Sequence, residues 1–346
     1  MNAMAPTAPI AAHFGDGPAF LRAAAESLAQ LPDTAEPETG EFLLHAYYGI
    51  KAALTTLSSE VERTCVAMLA DGQRLILKTS NRVSACDSFR FQSAVLAELE
   101  NAADVIVPRV IRTDQGGLLF EHEDTGGYLQ TCVDGPALHT LVHSPALLHD
   151  VGAGLARLNR AMATLELPGA RRPVLWNLQC WNGLARLQRY VPEGPTACHV
   201  RQAMADYSEA IAPRLGELDW QATHNDPSPF NMIATPQGVA FIDFGDGGWN
   251  PRLQDLAIAA GHFVSDPALP LGGAEHLIAG YASILPLSAL EVELLPGLMR
   301  ARQGALILIN HWRAHLFPDA ACYIMKNVHR AERGLALLSR SETAAA

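Results

Sequence analysis

One stretch of the 346-residue chain gathers side chains able to do chemistry: Thr223-His-Asn-Asp-Pro-Ser-Pro-Phe-Asn-Met-Ile-Ala-Thr-Pro-Gln-Gly-Val-Ala-Phe-Ile-Asp-Phe-Gly-Asp246. Two short apolar runs, Met232–Ala234 and Val239–Ile242, flank a Pro-Gln-Gly turn and read as a β-hairpin. His224, Asp226 and Asn231 precede the first run and Asp243 follows the second, so the hairpin brings carboxylate and amide oxygens together at its open end. Hard oxygen donors without sulfur suit Mg2+, which completes its shell with phosphate oxygens. Singly, His224 or Asp226 is an ordinary loop residue that satisfies a turn. The whole set is a catalytic constellation.

Spacing narrows the chemistry. Asp226 and Asn231 stand five apart, and Asp243 opens an Asp-Phe-Gly beyond the hairpin, as in phosphoryl-transfer sites. In that arrangement the first Asp accepts or orients a substrate hydroxyl, while the Asn and the second Asp hold magnesium on nucleotide phosphates. His224 would brace the loop. Trp249, just past the hairpin, offers an aromatic face to an ammonium group, and Asp246 offers a negative charge. From His224 to Asp255 the acids are Asp226, Asp243, Asp246 and Asp255 and the only base is Arg252, a local balance of −3. That balance predicts a cationic acceptor, with uncharged or anionic ones the poorer substrates.

The elements that must carry these groups fall into two kinds. Residues 1–40 are rich in Ala, Pro and Thr, with a helical turn or two near Phe20–Gln30. From Gly49 to Val133 short apolar runs predict strands at Ser58–Ala70, Arg74–Lys78, Val105–Ile111, Leu118–Glu121 and Tyr128–Val133, interrupted by a helix at about Asp87–Asn101. After Gly135-Pro136 the pattern turns helical. Ser144-Pro145 starts a helix carrying Leu148, Val151, Leu155, Leu158 and Met162 on one face. Ser288 and Glu291 form a capping box, Pro296 should kink or break the helix that follows, and the last helix lies near Tyr323–Leu338. The expected organisation is an extension (1–40), a small strand-rich half (41–131) and a larger helical half (132–346), an α+β protein.

Composition excludes other classes. Apolar residues make up 49% and charged ones 18%, which argues against disorder. With Lys+Arg 25 against Asp+Glu 36, the net charge of −11 gives no footprint for nucleic acid or an anionic membrane. The longest apolar runs, such as Ala305–Ile309, fall far short of a bilayer span, and Met1–Gly15 lacks a leader pattern, so a soluble, cytoplasmic protein is expected. Six scattered cysteines without a Cys-x-x-Cys pair predict neither a disulfide framework nor a zinc knuckle. The pairs His139/His143 and His311/His315 have ligand-like spacing but no third donor. The sequence does not set the oligomeric state.

The segment from Thr223 resembles the catalytic core of the aminoglycoside phosphotransferase and choline kinase-like superfamily, and Gly245-Asp-Gly-Gly-Trp-Asn-Pro-Arg-Leu-Gln-Asp-Leu-Ala257 fits the usual continuation. Leu75-Ile-Leu-Lys-Thr-Ser-Asn81, Leu175-Trp-Asn-Leu178 and the run Gly272–Ser288 resemble the hydroxylysine kinase branch, and the likeness covers about residues 40–340. It implies the bilobal protein-kinase-like fold, with a small antiparallel-sheet N-lobe and a mainly helical C-lobe. It also implies ATP or GTP as co-substrate with Mg2+. Lys78 then matches the lysine that pairs with the α/β-phosphates, and Gln92 stands where its glutamate partner is expected. Ser58 and Ser59 lie in the phosphate-covering loop, which has no glycine and carries Glu60 and Glu62, both expected to oppose phosphate unless turned outward. Gln130 and Cys132 fall at the hinge facing the base, and Asp255 takes the place of a buried Asp bracing the catalytic loop. The expected enzyme phosphorylates a hydroxyl of an amino-bearing metabolite, hydroxylysine-like by preference. Aminoglycosides, homoserine, choline and ethanolamine stay open as acceptors. A catalytically impaired nucleotide-binding module and a metal-dependent hydrolase using His224, Asp226 and Asp243 are the competing readings.

Overall fold

The computed structural model describes residues 14, 17–30, 37–59 and 61–343. Two helices, α1 (Ala19–Leu28) and α2 (Pro37–Tyr48), lead into β1 (Ala53–Leu57), β2 (Arg63–Met68) and β3 (Arg74–Ser80). Then come α3 (Val83–Leu99), β4 (Val110–Ile111), β5 (Phe120–His122) and β6 (Thr125–Thr131). The strands form one antiparallel sheet in the order β1-β2-β3-β6-β4, with β5 also on β6. Alternation along β3 sorts its side chains between two faces. Leu75 and Leu77 join Ala67 and Leu129 in packing under Leu43, Leu44 and Tyr48 of α2. Lys78, paired across the ladder with Tyr128, lies on the opposite face, where Phe89 of α3 meets the Tyr128 ring at 5.8 Å. The sequence pattern around residues 37–48 did not announce α2, yet this helix covers the outer face of the sheet.

The larger half carries α4 (Pro145–Met162), α5 (Pro195–Asp206), α6 (Arg252–His262), α7 (Glu275–Ile284), α8 (Ala289–Leu316) and α9 (Val328–Thr343). Two small antiparallel pairs sit among them: β7 (Trp220–Thr223) with β10 (Gly248–Pro251), and β8 (Met232–Thr235) with β9 (Gly238–Phe241). The hairpin is where the sequence places it; the β7–β10 pair, whose strands are short and distant in sequence, is not foreseen. Ser144 caps α4, its Oγ accepting from Leu147 N at 3.2 Å, and the Ser288–Glu291 capping box opens α8. Pro296 does not break α8. The carbonyl whose partner it removes belongs to Val292, which is 59% exposed and so open to water, and the buried run from Leu294 to Arg313 holds the helix on both sides. The last helix starts at Val328, after a short turn at Ala321–Ile324. Among the described residues no helix is long and apolar enough to cross a membrane.

The α4–α7 crossing is the tightest in this half. A Cβ on Gly152 would lie 1.9 Å from the Leu277 carbonyl oxygen, and one on Gly280 would lie 1.9 Å from that of His149. Backbone meets backbone at both points. The crossing sets Tyr281 of α7 against Asn159 of α4, with the phenol donating to Asn159 Oδ1 at 2.9 Å. Gly280→Ala is expected to force the helices apart and cost about 2 kcal/mol or more, in the upper part of the overpacking range. Gly216→Ala, at a position where a Cβ meets nothing within 4 Å, should be neutral. Urea midpoints of the two variants decide it: equal stability would mean that the crossing yields easily.

Candidate active site

The catalytic loop leaves β7 under the control of one buried carboxylate. Asp255, on α6, accepts from His224 N at 3.0 Å and Asn159 Nδ2 at 2.7 Å through Oδ2, and from Asn225 N at 2.7 Å through Oδ1. These bonds force Asn225 into the left-handed region, φ +65°. Its side chain is gripped in turn: Nδ2 donates to Asn177 Oδ1 and the Asp246 carbonyl, both at 2.8 Å, and Oδ1 accepts from Gln254. His224 is fully buried, and burial pulls its pKa below the ordinary value despite the nearby Asp255. The neutral ring then donates through Nε2 to the Ile242 carbonyl at 3.0 Å and accepts at Nδ1 from Asp226 N at 3.3 Å. It ties the start of the loop to the far end of the hairpin.

Asp226 and Asn231 are in contact, and Ile242 N donating to the Asn231 carbonyl at 3.0 Å brings the neighbouring Asp243 alongside them. Asn231 Nδ2 donates to Asp226 Oδ2 at 2.7 Å, which turns the amide oxygen away from Asp226. Asp243 also has a left-handed backbone, φ +62°, and its carboxylate is half exposed. Two side chains offering only oxygen make an incomplete shell, the kind Mg2+ fills with phosphate oxygens and water. The donor set fits that ion.

Lys78 reaches Asp243 Oδ1 at 2.6 Å and Gln92 Oε1 at 2.9 Å, and its ammonium lies 3.4 Å from Glu62 Oε2. Burial works against the Lys78 charge, but Asp243 and Glu62 outweigh it and hold the pKa well above the ordinary lysine value. Gln92 spans the group, donating through Nε2 to Glu62 Oε1 at 2.6 Å while its Oε1 accepts also from Tyr128 at 2.9 Å. Ser88 adds a hydroxyl to Glu62 Oε1 at 2.9 Å. Glu62 therefore does not face incoming phosphate: three buried donors draw it inward. Glu98, nearly two turns along α3 from Gln92, is exposed. Ser58 is exposed and Ser59 half-buried in the β1–β2 loop, while Glu60 lies outside the described residues. Gln130 is buried in β6 opposite Ile76, and Cys132 follows it, its thiol pushed up by burial. Among the described residues these four are not part of the Lys78 hydrogen-bonded group.

Three arginines that the sequence did not single out complete the site. Arg172 donates to the carbonyls of Gly247 at 2.7 Å and Gly169 at 3.1 Å, and to that of Gly245, fixing the turn after Asp243. Its burial lowers the guanidinium pKa to about 10. Arg302 of α8 sits 3.5 Å from Asp226 Oδ1 and 4.7 Å above the Trp176 ring. Arg330 of α9 and Lys326 stand 5.8 and 5.7 Å over Phe230, in the loop between Asp226 and Asn231, and Arg330 meets His262 Nδ1 at 2.6 Å. The local balance of −3 is thus offset by cations from distant helices, which no short-range pattern could reveal. Trp249 already has the Arg171 guanidinium 4.4 Å over its ring, so that face is taken. Asp246 touches the loop through its carbonyl, and its negative charge supports Arg172.

Comparison with known proteins gives the same outline. The hydroxylysine kinase of Danio rerio is 23% identical over 222 residues, 61% of this chain and 62% of that protein. The chain thus spans less than two thirds of that relative's length. The homoserine kinase of Brucella ovis is 25% identical over 329 residues, 92% of this chain and 97% of that protein. Among solved structures, an amicoumacin kinase superposes with a TM-score of 0.65 at 14% identity, covering 87% of this chain and 93% of its own. A microcompartment-associated aminopropanol kinase gives 0.60 at 19% identity, covering 89% and 98%. These superpositions establish the bilobal kinase-like fold. The model of the phosphotransferase enzyme family matches residues 53–287, from β1 to the residue before the Ser288 cap, and so takes in Lys78, Asp226, Asn231 and Asp243. The chain belongs to the phosphotransferase enzyme family.

Proposed function

We propose that the protein is a small-molecule kinase that transfers the γ-phosphoryl group of ATP, or of GTP, to the hydroxyl of an amino-bearing metabolite, with a hydroxylysine-like hydroxy amino acid as the favoured acceptor. The observation that carries this reading is the convergence of Asp226, Asn231, Asp243 and Lys78 on one site, held by the buried Asp255 and His224. Asp226 orients the acceptor hydroxyl and takes its proton, and His224 keeps the Asp226 backbone in place. Lys78 holds the nucleotide phosphates, with Gln92 aiming it. Ser58 and Ser59 cover the phosphates, and Gln130 and Cys132 lie toward the base. Asn231 and Asp243 would hold Mg2+, which supplies charge neutralisation on the phosphates when bound. Positioning and charge account for most of the rate in such a loose transition state. The structure of the amicoumacin kinase in complex with AMP-PNP favours ATP.

The acceptor reading rests on charge. Arg302 beside Asp226, with Arg330 and Lys326 near Phe230, suits a carboxylate. Asp246 is the candidate for the amino end, while the Trp249 face, first expected to receive it, is covered by Arg171. Hydroxylysine and homoserine, the substrates in the names of two relatives, are both zwitterions with a carboxylate and a hydroxyl. The expectation of a cationic acceptor is narrowed to one that also carries a carboxylate.

With Mg-ATP or Mg-GTP and a panel of hydroxylysine, homoserine, aminopropanol and choline, nucleoside diphosphate should form only with an acceptor present. Asp226→Asn should lower kcat by about a hundredfold or more. The kinase reading is overturned by unaltered turnover in that variant, by nucleotide binding with no acceptor turned over, or by phosphate release from esters without nucleotide. Arg302→Met should raise KM for a carboxylate-bearing acceptor about tenfold or more while leaving nucleotide KM in place. An equal effect on aminopropanol would show that Arg302 reads something other than the carboxylate.

A further inference from the structure

We propose that Glu62, at the end of the β1–β2 loop, is the positioning residue for Lys78, taking the role that a carboxylate on α3 would otherwise serve. The inference rests on the kinase reading above. A buried ammonium that must hold phosphate needs a negative partner that remains beside it. Lys78 has two carboxylates in reach, and they differ in kind. Asp243 is half exposed and belongs to the proposed magnesium pair, so its charge is shared. Glu62 is 6% exposed and is held on Oε1 by both Gln92 and Ser88, leaving Oε2 toward the Lys78 ammonium. Its charge also reaches the buried Arg172, but among the described residues Lys78 is the cation within 4 Å of it.

Gln92 explains why the partner has moved. Its amide faces both ways: Oε1 receives the Lys78 ammonium and the Tyr128 hydroxyl, and Nε2 donates to Glu62. A glutamate at position 92 would set two carboxylates 2.6 Å apart where Gln92 Nε2 and Glu62 Oε1 now meet. The site carries one carboxylate and one amide, and the carboxylate comes from the loop. Because Glu62 directly precedes Arg63, where β2 begins, the same contact fastens the phosphate-side loop to α3. A loop without glycine is thereby held in register with the lysine it serves.

The test is an exchange of the two groups. Mg-ATP binding to the full chain is measured by titration calorimetry, with urea midpoints taken for each variant. Glu62→Gln should weaken binding about tenfold or more, since the ammonium loses that charge. Gln92→Glu should also weaken it, through repulsion between neighbouring carboxylates. The double exchange E62Q/Q92E restores one carboxylate and one amide and should return affinity to within about threefold of the starting protein, a gain that simple loss of packing does not produce. Binding by Glu62→Gln equal to that of the starting protein, or a double variant as weak as the two single losses combined, overturns the assignment of Glu62. Failure of the starting protein to bind Mg-ATP would instead overturn the kinase reading itself.

Discussion

A buried carboxylate that cannot reach water must be met by donors on every side, and Asp255 meets that requirement by recruiting the backbone of the catalytic loop. Its two oxygens take three N–H groups, two of them from consecutive residues of the main chain. Hydrogen bonds to a charged acceptor contribute about 1.5–3 kcal/mol each, enough to sustain a left-handed residue at Asn225. From there the constraint spreads outward. Asn225 reaches Asn177 and the Asp246 carbonyl, and His224 reaches Ile242, so both arms of the hairpin are tied to one point on α6. Asp226, Asn231 and Asp243 are exposed or partly exposed, while His224, Asn225 and Asp255 are buried.

The same division governs charge. Asp226 and Asp243 each have a cation from elsewhere in the chain, Arg302 and Lys78. Lys78 in turn lies between carboxylates from the loop before β2 and from the turn after β9. Arg172 adds no countercharge at contact distance; it spends its donors on three carbonyls and stiffens the turn that carries Asp243. Among the described residues the group around Lys78, Asp226 and Asp243 thus sets each of its acids beside a cation.

Much of this was legible in the sequence, and what was hidden has a common cause. The hairpin, its turn and the spacing of Asp226, Asn231 and Asp243 are short-range features, as are the caps at Ser144 and Ser288. Strand alternation gave the side on which Lys78 points, and the family resemblance, not any pattern in this chain, set Gln92 opposite it. Glu62 was misjudged because its direction depends on Gln92 and Ser88, donors on an element further along the chain. Arg302 and Arg330 reach Asp226 and Phe230 from helices that periodicity can locate but not dock. That Pro296 leaves α8 unbroken was hidden for a different reason: the cost of a proline in a helix is fixed locally, whereas the burial that offsets it is not.

The glycine crossing of α4 and α7 links this plan to how the chain can diverge. Asn159 is long enough to reach Asp255 because the two helix backbones touch near Gly152 and Gly280, with Tyr281 steadying the amide from the far helix. A lineage that placed a larger residue at either glycine would have to move a helix, and one of the three donors to Asp255 would move with it. Two positions without any side chain, remote from substrate, are therefore bound to the same fate as the catalytic loop and are free to change only together with it.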